Sequence, residues 1–197
     1  MIKTFIFDAE IDLENTYDLI ENMDNFLADP DLNPETSCKI YFSTNGGAVY
    51  LAEILIDYFN NYPLELELVL TNACESAGII VAAKTQRNIS ILPTAYGMIH
   101  KSSALLQTRD INTKGTFDHF FDKMYGKALD EHYMDLYKAL DLKDNELKII
   151  NNNKELYLTN KRLCETILGY RENTELKQRI SELKAELEFL EGHANDN

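Results

Sequence analysis

Ser43-Thr-Asn-Gly-Gly-Ala-Val49 is the stretch that decides the fold. It stands between a predicted strand, Lys39 to Phe42, and a predicted helix whose apolar residues recur at helical spacing from Leu51 to Phe59. Its two glycines can take positive φ and leave backbone N–H groups uncovered beside the helix start. Alone, a Gly-Gly turn of this kind is usually only a turn. It has neither the Lys-Ser/Thr of a P-loop nor the third glycine of a dinucleotide fingerprint, so nucleotide binding is disfavoured.

The same change from strand to helix recurs along the first half of the chain. This alternation predicts an α/β domain with a largely parallel sheet, in which functional sites collect at the ends of strands. The other strands are predicted at Thr4 to Phe7, Leu64 to Leu70, Asn88 to Leu92 and Tyr96 to Ile99, and the other helices at Asp12 to Leu27 and Ser76 to Lys84.

The second half of the sequence is helical in character. A long helix is predicted at Thr116 to Leu140, and a helical region at Asn145 to Leu168 is interrupted around Asn151 to Glu155. From Thr174 to Glu191 apolar residues are spaced alternately four and three apart, a heptad seam that either packs on its own domain or forms a coiled coil between subunits. We therefore predict a main domain over residues 1–170 and a heptad helix with a tail over residues 171–197.

A second junction between strand and helix carries a serine. Thr71-Asn-Ala-Cys-Glu-Ser-Ala-Gly-Ile79 places Ser76 at the first turn of a hydrophobic helix. Such a serine is most often an N-cap. It can also present an exposed hydroxyl, with the N–H of Ala77 pointing toward the same space. Together with the N–H of Gly47, this group would form a two-donor oxyanion hole.

A third signal is a strand that ends in histidine. In Tyr96-Gly-Met-Ile-His-Lys-Ser102 the strand closes on His100, and a lone histidine in such a place is more often a polar edge residue than a base. The order of glycine turn, serine at a helix start and histidine at a strand end within one α/β layer makes the combination much stronger than its parts. It predicts a serine-hydrolase site.

The run from Lys39 to Ser102 resembles the central part of the proteolytic subunit of Clp protease, in the superfamily that includes the crotonases. In that family a Gly-Gly turn, an Ala-Ser-Met-Gly nucleophile junction and a Met-Ile-His strand follow one another in this order. Here they correspond to Asn45-Gly-Gly-Ala48, Glu75-Ser-Ala-Gly78 and Met98-Ile-His100. The resemblance implies a ClpP/crotonase-like layered βα superhelix with a helical handle, at about residues 116–140, and here an extra C-terminal helix.

The resemblance also implies roles for individual residues. Ser76 would be the nucleophile and His100 the general base. The N–H groups of Gly47 and Ala77 would be the oxyanion donors, and Gly46 would belong to the turn beside which the substrate strand lies. No cofactor or metal is implied.

The acid of the triad is assigned by the same resemblance. In the family an Asp lies just before a Phe-Leu-Ser stretch, and Glu155-Leu-Tyr-Leu-Thr159 matches that stretch with Glu155 in the place of the acid. A shift of one residue would offer Lys154 or Asn153 instead. Asp141 and Asp144 are further candidates if the loop folds back differently.

Several departures from the family bear on partners. The turn lacks a proline, Lys101-Ser102 follows His100 where the family has Gln-Pro, and Glu75 directly precedes the serine. The segment before the first strand is shorter than the one that forms axial pore loops in the family, which makes an ATPase partner doubtful. The aromatic stripe of the predicted handle would be difficult to bury in an isolated subunit, so a homo-oligomer, as a ring or stacked rings, is expected.

Bulk properties exclude other classes of protein. The 197 residues carry a formal net charge of -14 and form no cluster of Lys and Arg, so nucleic acid is not an expected partner. The three cysteines match neither a disulfide framework nor a zinc site. The sequence shows neither a signal peptide nor a membrane span, and we expect a cytoplasmic protein.

Three functions are compatible with the sequence. The leading one is peptide-bond hydrolysis through an acyl-enzyme on Ser76, with a peptide or protein as the substrate. The second is a catalytically impaired oligomeric assembly or regulatory protein on the same scaffold, which Glu75 and the heptad helix motivate. The third, acyl-CoA chemistry, ranks last because carboxylate bases and basic residues for the CoA phosphates are not found.

Overall fold

A computed structural model of the chain describes residues 1–100, 140–152 and 154–194. Strands and helices alternate through most of this part of the chain. The strands are β1 (Ile2–Asp8), β2 (Ser37–Thr44), β3 (Leu66–Glu75), β4 (Asn88–Ile91), β5 (Tyr96–Ile99) and β6 (Leu156–Leu158), and the helices are α1 (Leu13–Leu27), α2 (Val49–Asn61), α3 (Ala77–Lys84), α4 (Asp144–Asn151) and α5 (Asn160–Ala194).

The six strands form one sheet in the order β1-β2-β3-β5-β6, and β4 pairs beside β5 on the same edge of β3. The first half of β3 pairs with β4 and its last three residues pair with β5. Every pairing is parallel except that of β5 with β6. The structure thus confirms the predicted α/β class and its largely parallel sheet.

Side chains alternate along the strands between a buried face and a more open one. In β1, Phe5 and Phe7 are buried, whereas Thr4 and Ile6 are exposed. The ring of Phe7 stacks on that of Phe42 in β2, with 5.3 Å between ring centroids. Helices α1 to α3 and the first part of α5 contribute to the same apolar core. This core fixes the helices against the sheet and so fixes the turns that connect them.

Two elements differ from the prediction. Strand β3 continues to Glu75, beyond the predicted end at Leu70, because Cys74 pairs with Thr44 of β2 and Ala73 with Tyr96 of β5. Asn72 in this stretch is a weak strand former, so long-range pairing decides the local structure here. The short strand β6 arises in the same way, from its pairing with β5, at residues just after the predicted interruption where the sequence indicated helix.

The last helix is continuous across the predicted domain boundary. Helix α5 runs from Asn160 to Ala194, so residues 170 and 171 lie within it. The side chains of Leu176, Ile180 and Leu183 are about half exposed, at 54%, 52% and 47%. The seam thus lies open in the described part of the chain, and its partner stays a prediction. The predicted handle over residues 116–140 lies outside the described residues, apart from its last one.

A shielded ion pair joins α4 to α5. Arg162 donates from Nε to one carboxylate oxygen of Glu146 at 2.9 Å and from a terminal nitrogen to the other at 2.7 Å. The same guanidinium donates to the carbonyl oxygen of Asp141 at 2.9 Å. Hydrogen bonding by Arg162 holds the pKa of Glu146 below its ordinary value. This forked pair orients the segment that leads into β6.

We expect Glu146→Gln to lower the free energy of unfolding by about 1.5–3 kcal/mol at pH 7, because charged hydrogen bonds to a largely buried arginine are lost. Since the pKa of Glu146 is depressed in the folded state, its contribution is present above the unfolded pKa and is lost as pH falls through the folded pKa. Urea titrations at pH 7 and pH 3 should show the difference from wild type shrinking in acid. Glu165→Gln, which removes an exposed partner of Arg162 at 3.6 Å, is the control and should cost at most about 1 kcal/mol. Equal effects of the two variants would contradict this interpretation.

Candidate functional site

Ser76 occupies the sharp junction between β3 and α3. Its backbone has φ 50° and ψ -117°, a conformation that is strained for a residue with a Cβ atom. Its N–H donates to the carbonyl oxygen of Met98 in β5 at 2.7 Å, which helps to hold the strained turn. Ser76 is the N-cap residue of α3, yet its side chain makes no capping hydrogen bond. The hydroxyl is therefore not used to stabilise the helix, which was the most common expectation for a serine at this position.

The Ser76 hydroxyl instead meets the predicted histidine. Oγ of Ser76 lies 2.7 Å from Nε2 of His100, and both residues are partly buried. His100 follows directly after β5, the strand that pairs with the end of β3. Parallel pairing of these two strands therefore brings two residues 24 positions apart into hydrogen-bonding distance. The distance suits proton transfer from a nucleophile to a general base.

The Gly46-Gly47 turn lies directly against this pair. Both glycines have positive φ, 96° and 142°. A Cβ atom on Gly46 would lie 2.6 Å from Cβ of Ser76. A Cβ atom on Gly47 would lie 2.3 Å from the carbonyl oxygen of Ile11. Ser76 thus requires glycine at position 46, and the backbone of Ile11 requires glycine at position 47.

Ile11 is a supporting residue that the sequence did not identify. It forms an isolated parallel bridge with Gly47. The N–H of Ile11 donates to the carbonyl oxygen of Gly46 at 2.7 Å, and the carbonyl oxygen of Ile11 accepts from the N–H of Ala48 at 2.8 Å. The bridge uses groups on both sides of Gly47, so the N–H of Gly47 itself points away from it. The only signal in the sequence is one apolar residue among acids, Glu10-Ile-Asp12, and Ile11 is completely buried.

The N–H group of Ala77 is, together with that of Gly47, one of the two predicted oxyanion donors. Ala77 is the first residue of α3, and the N–H groups of a first helical turn have no acceptor within the helix. The positive end of the helix dipole adds to the attraction for negative charge. Ser76, Gly47 and Ala77 thus lie on two adjacent turns that each lead from a strand into a helix.

Glu155 lies next to the site at the start of β6. Antiparallel pairing sets Ile99 opposite Leu156, and continuing the register by one position would set His100 opposite Glu155. Side chains in such pairs lie about 5 Å apart at their Cβ atoms. The Glu155 carboxylate is exposed and accepts a hydrogen bond of 2.7 Å from the hydroxyl of Tyr157. Register thus supports the position of Glu155, and the side chain is engaged with a tyrosine.

A second carboxylate, that of Glu75, belongs to the same neighbourhood. Burial, and then the negative charge of Glu155, raise the pKa of Glu75 above its ordinary value, while His100 acts in the opposite direction. The preceding Cys74 is completely buried, and burial raises the pKa of its thiol. The thiol therefore stays protonated and does not compete with Ser76 as a nucleophile. Glu75, the residue directly before Ser76, thus places an acidic side chain beside the serine, whereas an apolar residue there would add no charge.

The other acids that the sequence offered lie in or near α4. Asp141, with φ 53°, accepts from Arg162 through its carbonyl, and Asp144 begins α4. Lys154 is exposed, and Asn153 lies outside the described residues. In the described ranges no cluster of His, Cys, Asp and Glu is suited to hold a metal ion, and none of the helices there has the length and apolar character of a membrane span.

Comparison with known proteins bears on the fold. No protein-family model matches the sequence, and no curated protein is significantly similar to it. Among solved structures, a mutant of ClpP1 from Listeria monocytogenes is similar, with a TM-score of 0.62 over 84% of this chain and 87% of that chain, at 16% identity. In this structure the three cysteines of the chain are free thiols. The similarity to the ClpP1 structure shows that the molecule has a ClpP-like fold.

Proposed function

We propose that this protein is a serine peptidase that hydrolyses peptide bonds through an acyl-enzyme on Ser76. One observation carries the proposal: the Ser76 hydroxyl, held on a strained turn at φ 50°, lies 2.7 Å from Nε2 of His100 instead of capping its helix. Strain and a base within hydrogen-bonding distance are typical of an activated nucleophile.

In this mechanism Oγ of Ser76 attacks the carbonyl carbon while Nε2 of His100 takes the proton. The N–H groups of Gly47 and Ala77 stabilise the negative charge that develops on the carbonyl oxygen, an effect worth about 3–4 kcal/mol for one donor. His100 then passes the proton to the leaving amine, and the C–N bond breaks. Water, activated by the same imidazole, hydrolyses the ester and restores the serine.

We assign Glu155 the role of the acid that orients His100. The register of β5 and β6 supports this assignment, since it points to Glu155 as the neighbour of His100 across the sheet. Tyr157 bonds one oxygen of this carboxylate, and in the proposed role the other oxygen would accept from the imidazole. An extended peptide would lie beside the Gly46-Gly47 turn through backbone pairing.

Assembly and location are further parts of the proposal. The exposed seam at Leu176, Ile180 and Leu183 supports a homo-oligomer, because apolar side chains at heptad spacing are buried by pairing with another helix. A cytoplasmic protein acting on peptides remains the expectation.

A fluorophosphonate probe tests the proposed nucleophile directly. We expect the intact protein to be labelled at Ser76, because the probe reacts with a serine whose proton is taken by a neighbouring base. Mass spectrometry of the labelled peptide gives the position. Ser76→Ala should abolish labelling, while Ser90→Ala, which removes a hydroxyl of β4 that is bonded to Glu67 of β3, should leave it unchanged.

The alternative is an assembly protein without hydrolytic activity. The hydrogen bond from Tyr157 to the Glu155 carboxylate favours it, since it engages one oxygen of the proposed acid with a group other than the histidine. A folded wild-type oligomer that takes up no label, or label that is retained in Ser76→Ala, would favour this alternative over the peptidase.

A further inference from the structure

The free edge of the sheet at β1 lies in a groove. Strand β1 is the terminal strand, and its seven residues pair with β2 in regular register, without a bulge or a proline. A groove of about 580 Å³ follows it from Lys3 to Ala9 and has α1 as one wall. Because residues from both faces of β1 line the groove, it runs along the edge itself.

The backbone of β1 has groups available for pairing at this edge. The carbonyl of Met1 accepts from Ser37 and the N–H of Ala9 donates to Ser43, so odd-numbered residues bond to β2. In a parallel ladder the intervening residues direct their N–H and C=O groups to the other side. Thr4, Ile6 and Asp8 therefore direct these groups into the groove, where no strand of the described ranges meets them. Such an edge is a template for another strand.

The two sides of the groove differ in chemistry. On the α1 side an added strand would meet Asn15, Asp18 and Asn22. On the opposite side it would lie next to Thr4 and Ile6, and Ile6 is 73% exposed. Successive side chains of a strand point to opposite faces, so a partner would alternate polar and aliphatic residues.

Charge indicates the sign of the polar positions. Helix α1 carries Glu14, Asp18, Glu21 and Asp24 and has no Lys or Arg, in a chain of net charge -14. Among the described residues that line the groove, Lys3 is the one cation, and it lies over the rings of Phe5 and Phe26, with 5.6 and 5.1 Å from Nζ to the ring centroids. A strand from a second copy of this chain would bring two acidic helices together, which disfavours self-pairing.

We propose that the β1 edge binds an extended segment in which Lys or Arg alternates with aliphatic residues, by adding it to the sheet as a further strand. Backbone pairing along Thr4, Ile6 and Asp8 gives affinity, and Asp18 selects cationic side chains. This site is separate from Ser76, and its occupation does not depend on hydrolysis.

The test is fluorescence anisotropy with a labelled peptide, (Lys-Val)₄, on the full chain carrying Ser76→Ala. We expect saturable binding that weakens with salt, and little binding of (Glu-Val)₄. Ile6→Pro removes an N–H that β2 does not use and should weaken binding about tenfold or more. Asp18→Lys should also weaken it about tenfold, and Glu172→Lys, the same charge change on α5 outside the groove, should have a smaller effect.

Each other outcome overturns the proposal. Equal binding of the acidic peptide would show that charge does not select the partner. Unchanged binding in Ile6→Pro, or equal effects of Asp18→Lys and Glu172→Lys, would place the peptide elsewhere, including the Ser76 site. No binding together with a change of sedimentation coefficient in Ile6→Pro would assign the edge to a second copy of the chain. If Ile6→Pro is unfolded by circular dichroism, the two lysine variants decide.

Discussion

Replacing His100 with alanine is expected to slow the acylation of Ser76 by about four orders of magnitude or more. The reason is the 2.7 Å contact between Nε2 of His100 and Oγ of Ser76, which is the route by which the hydroxyl loses its proton as it attacks. The rate constant for fluorophosphonate labelling measures this step without a known substrate. Hydrolysis of fluorogenic peptides should fall in parallel.

The double variant distinguishes a catalytic pair from two independent contributions. Ser76→Ala and His100→Ala should each abolish peptide hydrolysis almost as fully as the two together, because residues that act as one unit are not additive. Thermal unfolding should show all three variants folded. A His100→Ala protein that labels at the wild-type rate would remove His100 from the mechanism.

Gly47→Ala is the second change for which a large effect is expected. The new Cβ atom would lie 2.3 Å from the carbonyl oxygen of Ile11, and alanine would have to adopt φ 142°. Rigid backbone cannot yield to it as a flexible side chain would, so the turn must move. We expect a loss of about 3 kcal/mol or more in the free energy of unfolding and a fall of about 10²–10³ in kcat through the displaced N–H group.

Gly169→Ala provides the matched control. Gly169 lies inside α5 with nothing within 4 Å of the position of an added Cβ, so alanine should be neutral or stabilise by up to about 1 kcal/mol. Urea titration and labelling rates of both variants give the comparison. A Gly47→Ala protein as stable and as reactive as Gly169→Ala would show that the turn is not constrained by Ile11.

The sequence predicts the parts of the site that are local. The glycine turn, the serine at a helix start and the histidine after a strand each leave a short pattern, because each needs a particular backbone conformation or a particular side chain at a junction. The α/β class follows from hydrophobic periodicity in the same way. The prediction of positive φ at Gly46 and Gly47 is confirmed by the structure.

Parts that depend on long-range pairing leave little signal. Strand β6 has three residues, and nothing in Leu156-Tyr-Leu158 distinguishes it from a loop until β5 is placed beside it. The bridge from Ile11 to Gly47 joins segments separated by a whole helix. The orientation of the Glu155 carboxylate depends on a competing hydroxyl, that of Tyr157. Each of these is set by tertiary contact, and propensity does not report it.

The bridge between Ile11 and Gly47 also links the site to the order in which the chain folds. The serine, the histidine, the glycine turn and the supporting residue come from four separate segments of the chain. Contacts of this kind close slowly, because loop entropy must be lost before they form. A nascent or partly folded chain therefore lacks the assembled geometry, and the proposed nucleophile would meet its base only once β3 and β5 are paired.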